Sequence, residues 1–104
     1  AARAGLEPAA VVQALAGGAA TSWMLVEQAP RMQRRDFAPG FMVRLQQKDL
    51  RLALAAAAAL GVALPTTALV HQLFAAVEAH GGGGLGTQAL VTALEALAAP
   101  PAKI

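Results

Sequence analysis

Apolar positions recur along this chain at intervals of three and four residues, the spacing of one helix face, and seldom alternate as they would in a strand. Val11, Val12, Leu15 and Ala16 form the first such face. It follows Glu7-Pro8, where Pro8 stands near the first helical position and its missing N–H does no harm. Ahead of it, Ala1 to Ala4 read as a final helical turn ended by Gly5, and Gly17-Gly18 stops the face itself. Thr21 or Ser22 caps a second short helix that runs to about Gln28 and ends at Pro30. Pro39-Gly40 then makes a turn, and from about Phe41 good helix formers continue unbroken to Leu60, with Gly61 to end them. At ~1.5 Å per residue this central helix is about 30 Å long. Leu64-Pro65-Thr66-Thr67 starts a further helix reaching His80, with Val70, Phe74 and Val77 as its apolar stripe. The last helix starts at Thr87 or Gln88, carries Leu90, Ala93, Leu94 and Leu97 on one face, and is ended by Pro100-Pro101.

The pattern predicts an all-α, compact helical domain of four full helices plus an N-terminal helix stub, one domain spanning residues 1–104. Composition agrees: hydrophobic residues make up 57% and aromatics only 4%, so the core is built from Ala, Leu and Val. The absence of cysteine removes disulfides and thiolate metal sites and fits a reducing cytoplasm. A net charge of +2 on few ionisable groups is not the polybasic balance of a nucleic-acid binder. The longest apolar run, Leu52 to Pro65, falls short of the ~18 residues a membrane span needs. The first residues, Ala-Ala-Arg-Ala-Gly-Leu-Glu, hold neither a basic segment nor a long apolar one, and no signal peptide is expected in them. They begin in mid-helix, and a piece of a longer protein is expected.

Candidate chemistry is concentrated on the central helix. Arg44, Lys48 and Arg51 stand at i, i+4 and i+7 and share one narrow stripe, at a cost of roughly 0.2–0.5 kcal/mol per like-charge pair. Asp49 lies about 100° further round the helix and does not neutralise them directly. Such a ridge suits an anion or an acidic partner; its plainer reading is a wet face with snorkelling side chains. A recognition helix for nucleic acid is disfavoured by the alanine-rich continuation and the lack of other basic helices. His71 and His80 share no face with a carboxylate cluster, so no metal site is expected. Gly81-Gly82-Gly83-Gly84-Leu85-Gly86 matches Gly-x-Gly-x-x-Gly to the letter. The dinucleotide fingerprint needs a strand before it and an acidic residue ~20 positions on, so this run reads instead as a flexible inter-helix loop. Trp23, the only tryptophan, reads as a core or interface anchor.

The ordered set Pro39-Gly40-Phe41, Lys48-Asp49-Leu50, an Ala/Leu helix and Leu64-Pro65 resembles the C-terminal domain of the β-hydroxyacid dehydrogenases, which include 3-hydroxyisobutyrate dehydrogenase and tartronate semialdehyde reductase. Ala1 to Pro8 is similar to the family's Ala-x-x-Ala-Gly-Leu-x-Pro, the exit of a long inter-domain helix. The resemblance covers essentially the whole chain and implies the fold of the 6-phosphogluconate dehydrogenase C-terminal domain. It implies a domain that closes the active-site cleft and forms a homodimer or higher homo-oligomer, while an N-terminal Rossmann domain, absent from this chain, binds most of an NAD or NADP cofactor. By the same resemblance Lys48 reaches the cofactor, and Phe41 and Asp49 line the side of a small β-hydroxy acid. Seven residues apart on one helix, Phe41 and Lys48 would lie within about 20° of each other. The family's catalytic Lys lies upstream, so no catalytic residue is expected here, and the chain alone should be inactive. Where the family has Gly-x-Gly-x-x-Asp-x-Ser-Ala-Leu, this chain has Gly86 for the Asp and Gln88 for the Ser, which should loosen the loop. The alternative is a stand-alone helical dimerisation module without catalysis.

Overall fold

A computed structural model describes residues 1–98, and the Pro100-Pro101 helix stop lies outside them. The described residues hold five α-helices and no named strand, so the domain is all-α as its periodicity predicts. The chain divides into two compact units, one ending at Phe37 and the other beginning at Ala38.

In the first unit, a single 3-10 turn, Ala2–Ala4, is closed by Gly5 at φ 75°, and α1 runs Pro8–Ala16 with its proline in the first turn. The expected stub is therefore a turn and a nine-residue helix. The second helix, α2, runs Trp23–Gln33, capped by Ser22, whose Oγ accepts from the Leu25 N–H at 2.9 Å. Contrary to the sequence reading, Pro30 does not end it. The proline deprives the Val26 carbonyl of a donor, yet its own carbonyl accepts from the Arg34 N–H at 3.1 Å and the helix carries on. It ends instead at Arg35, which adopts φ 55° while the Asp36 N–H reaches the Arg31 carbonyl at 2.9 Å. This is the bond that usually accompanies a glycine stop. Gln28 is the buried side chain of this unit, and its apolar residues are all at least partly exposed. Trp23 is 67% exposed, so it is no core anchor of its unit.

The second unit holds α3 (Val43–Leu60), α4 (Pro65–Ala79) and α5 (Leu90–Leu97). Gly61 ends α3 as expected, at φ 68°, and the Val62 N–H returns to the Ala57 carbonyl at 2.8 Å. The described core is Val43, Ala57, Phe74, Val77, Ala89 and Ala93, drawn from α3, α4, α5 and the turn before α5. Burying Phe74 and Val77 contributes roughly 1.5–3 kcal/mol each.

Two sequence expectations change here. The central helix begins at Val43, because Phe41 and Met42 are committed elsewhere. Met42 forms an antiparallel bridge with Gly86, in which the Val43 N–H donates to the Leu85 carbonyl at 2.8 Å and the Thr87 N–H to the Phe41 carbonyl at 3.0 Å. The glycine run is also not an open loop. It forms 3-10 turns over Gly82–Gly84 and Thr87–Ala89, with Gly82, in the first turn, and Gly86, between the two, both buried.

Candidate functional site

Helix α3 presents two adjacent faces. Val43, Gln47, Leu50, Leu54 and Ala57 recur at four- and three-residue steps and turn inward, buried or half-buried. One residue on from the first three of these, Arg44, Lys48 and Arg51 are all exposed. The stripe is thus solvent-facing, held outward by the packing of its neighbours.

Lys48 and Asp49 meet. Lys48 Nζ lies 3.2 Å from Asp49 Oδ1, with the two side chains 57% and 52% exposed. The carboxylate expected to stand apart from the stripe therefore bends back to pair with its middle cation. At that exposure the pair is worth roughly 0–1 kcal/mol and can exchange Asp49 for another anion at little cost. Phe41 is 41% exposed and precedes the helix on the bridged segment, so the helical register between Phe41 and Lys48 does not apply. Its position is set by the backbone bond from Thr87.

Behind the charged stripe lies a polar cluster that the sequence reading missed. Gln47 is 1% exposed. Its Nε2 donates to the His71 carbonyl at 3.2 Å and to Glu78 Oε2 at 3.3 Å, while its Oε1 stands 2.9 Å from His71 Nδ1. With both amide hydrogens spent on oxygens, Gln47 can only accept from the imidazole, which fixes the His71 proton on Nδ1. One side chain thereby ties α3 to α4 at two levels. The i, i+4 step from Val43 to Gln47 was the available signal, since it placed a polar residue on an apolar face.

The glycine run bears on this edge. A Cβ on Gly84 would stand 3.8 Å from Arg44 Nη1, so the first cation of the stripe lies along the turn. Gln88, also 1% exposed, donates from Nε2 to the Ala38 carbonyl at 2.9 Å. His80 caps α4 and its Nδ1 lies 2.8 Å from the Ala76 carbonyl. An apolar cavity of about 460 Å³ opens between α4 and α5, lined among others by Leu73, Val77, Ala93 and Leu97. It contains none of Phe41, Lys48 or Asp49. Among the described residues no group of three His, Cys, Asp or Glu side chains could hold a metal ion, and no helix is long and apolar enough to cross a membrane.

Comparison with known proteins gives this geometry a context. The family model described as "NAD-binding of NADP-dependent 3-hydroxyisobutyrate dehydrogenase" matches residues 1–94. The chain is similar to the 2-hydroxy-3-oxopropionate reductase of Escherichia coli, with 49% identity over 98 residues, covering 94% of this chain and 34% of that protein. It is 44% identical over 95 residues to the probable 3-hydroxyisobutyrate dehydrogenase-like 1, mitochondrial, of Arabidopsis thaliana, covering 91% of this chain and 28% of the other. An uncharacterized oxidoreductase of Synechocystis is 44% identical over 89 residues, 86% of this chain and 30% of its own length. The chain spans about a third of each of these relatives.

Proposed function

We propose that this chain, which belongs to the family of NADP-dependent 3-hydroxyisobutyrate dehydrogenases, is the C-terminal helical domain of an NAD(P)-dependent oxidoreductase acting on a small β-hydroxy acid. In this reading it closes the active-site cleft over a cofactor bound mainly by an N-terminal Rossmann domain, and it mediates dimerisation in the cytoplasm. The observation that carries the reading is the exposed Lys48, held on the outer edge of α3 between Arg44 and Arg51 and countered, among the described residues, by the easily displaced carboxylate of Asp49. That donor set suits the phosphates of a nicotinamide dinucleotide. When bound, the cofactor supplies the hydride chemistry. Lys48 contacts it from the helical side, while Phe41 and Asp49 bound the substrate. Hydride transfer requires the cofactor to be held against the substrate, so the isolated chain does not turn over.

The test is a chimera in which the matching segment of the E. coli 2-hydroxy-3-oxopropionate reductase is replaced by this chain. The chimera should reduce 2-hydroxy-3-oxopropionate. Lys48→Ala should raise the KM for the nicotinamide cofactor about tenfold or more, the loss of one charge-assisted hydrogen bond, without lowering the unfolding midpoint. A folded but inactive chimera, or an unchanged cofactor KM in the variant, defeats the reading. Turnover of NAD or NADP with a β-hydroxy acid by the 104-residue chain alone would overturn its inactivity.

A second reading, a helical association module without catalysis, draws on exposed apolar side chains such as Trp23 at 67%, Leu60 at 78% and Leu97 at 73%. It predicts self-association of the chain in solution together with an inactive chimera.

A further inference from the structure

Gly86 adopts φ −66° and ψ 156°, extended backbone open to any residue. Its conformation does not ask for glycine, but its surroundings do. A Cβ at this position would lie 2.7 Å from both Cδ and Nε2 of Gln88, and nearer still to Oε1. The volume a side chain at 86 would fill is already taken by the carboxamide of residue 88. That carboxamide is the far end of a side chain, so an added Cβ would push it aside. With Gln88 1% exposed, however, little room is available beyond its present place. The cost falls on the bond from Gln88 Nε2 to the Ala38 carbonyl, 2.9 Å long.

Ala38 opens the sequence Ala38-Pro39-Gly40-Phe41. Pro39 has no N–H to donate, and a Cβ on Gly40 would find nothing within 4 Å, so the turn carries little packing of its own there. Downstream, the segment is pinned at Phe41 and Val43 by the backbone bonds to Thr87 and Leu85. Upstream, Gln88 holds the carbonyl of Ala38. Phe41 thus stands between an upstream and a downstream attachment that lead to the stretch from Leu85 to Gln88.

We infer that Gln88 is a positioning residue for Phe41, and that residue 86 is glycine because the Gln88 carboxamide occupies the space beside it. The two positions share one volume and can deliver one amide to Ala38 between them. The part concerning Phe41 rests on the proposed contact of that residue with substrate.

The test uses unfolding of the 104-residue chain and kinetics of the chimera. Gly86→Ala and Gln88→Ala should each lower the unfolding midpoint, and the double variant should be no worse than the poorer single one, because the amide that the new Cβ displaces is already gone. In the chimera, each single variant should raise the substrate KM about tenfold with a smaller change in kcat. Gln88→Met, which keeps the volume and loses the amide, should fold and show the same KM increase even where Gly86→Ala does not fold. Gly86→Asn combined with Gln88→Ser, which carries the amide from the other position, should restore the KM. Additive effects on the midpoint, or a Gly86→Ala chain indistinguishable from the parent, would overturn the shared volume. Gln88→Met with an unchanged KM would overturn the positioning role. Phe41→Ala is measured alongside. If it leaves the substrate KM unaltered, the substrate-contact reading fails, while the coupling of positions 86 and 88 is judged separately by unfolding.

Discussion

Replacing Gln47 by methionine isolates the amide that joins α3 to α4. Methionine keeps the length of the side chain, so the cavity term of a truncation is largely avoided. Three interactions are lost, at 2.9, 3.2 and 3.3 Å. The two longer ones belong at the weak end of the ~0.5–1.5 kcal/mol that a protein hydrogen bond contributes. His71 and Glu78 are only half-buried and recover water on losing their partner. The net cost is therefore about 1–3 kcal/mol, against a stability of order 5–15 kcal/mol for a single domain. The variant should fold, with a melting temperature lower by about 4–8 °C for each kcal/mol, read by far-UV circular dichroism. Gln47→Glu supplies a check on geometry. It sets a new carboxylate beside Glu78, and burial and like charge both raise the pKa of that carboxylate in the folded state. A group with a raised folded pKa keeps its full contribution below the unfolded value of ~4.3 and loses it as pH rises through the folded one. The deficit relative to the parent should therefore widen from pH 4 to pH 8. A Gln47→Met chain within ~0.5 kcal/mol of the parent, or a Gln47→Glu deficit flat with pH, would refute the network.

Other consequences are open to direct measurement. Gly82→Ala places a Cβ 2.6 Å from Val77 Cγ1 and 2.9 Å from the Val77 carbonyl oxygen, and the backbone cannot yield cheaply. It should cost about 1–3 kcal/mol in urea unfolding, whereas Gly83→Ala, whose nearest neighbours stand at 3.9 Å, should stay within ~0.5 kcal/mol. Ser22→Ala removes the cap on the Leu25 N–H and should cost ~1 kcal/mol, with Thr21→Ala as the near-neutral control. Equal losses from the two substitutions would show that the cap is shared.

The fold was readable where local chemistry decides it. Gly61 stops α3 because its left-handed backbone is inexpensive only for glycine, and Ser22 caps α2 because its hydroxyl reaches one turn ahead. Pro30 was misleading, because losing one N–H does not stop a helix whose neighbours continue to pair around it. Phe41 was misplaced for a different reason. Its backbone is claimed by Thr87, far along the chain, and no periodicity near Phe41 registers that partner. The site was legible in part. Lys48 and Asp49 stand exposed on α3, but their pairing depends on rotamers rather than spacing. Gln47 was passed over, and Gln88 was read only as a helix start and a departure from the family's Ser, because glutamine in a helical sequence ordinarily faces water. Only the closing of α4 and of the Ala38 turn over them makes them interior.

All three cations of the α3 stripe fall in the first half of that helix, with no acidic residue in its first turn and no basic one in its last. The peptide dipoles make that same end positive. The helix therefore carries an electrostatic debit, modest at each group, that a counter-ion is able to cancel. Any anion that binds there stabilises the folded chain by mass action, so occupancy and thermal resistance are one linked equilibrium. Dissolved salt acts on both sides of it. It screens the repulsion within the helix and, beyond about 8 Å at physiological ionic strength, the attraction felt by the approaching ligand.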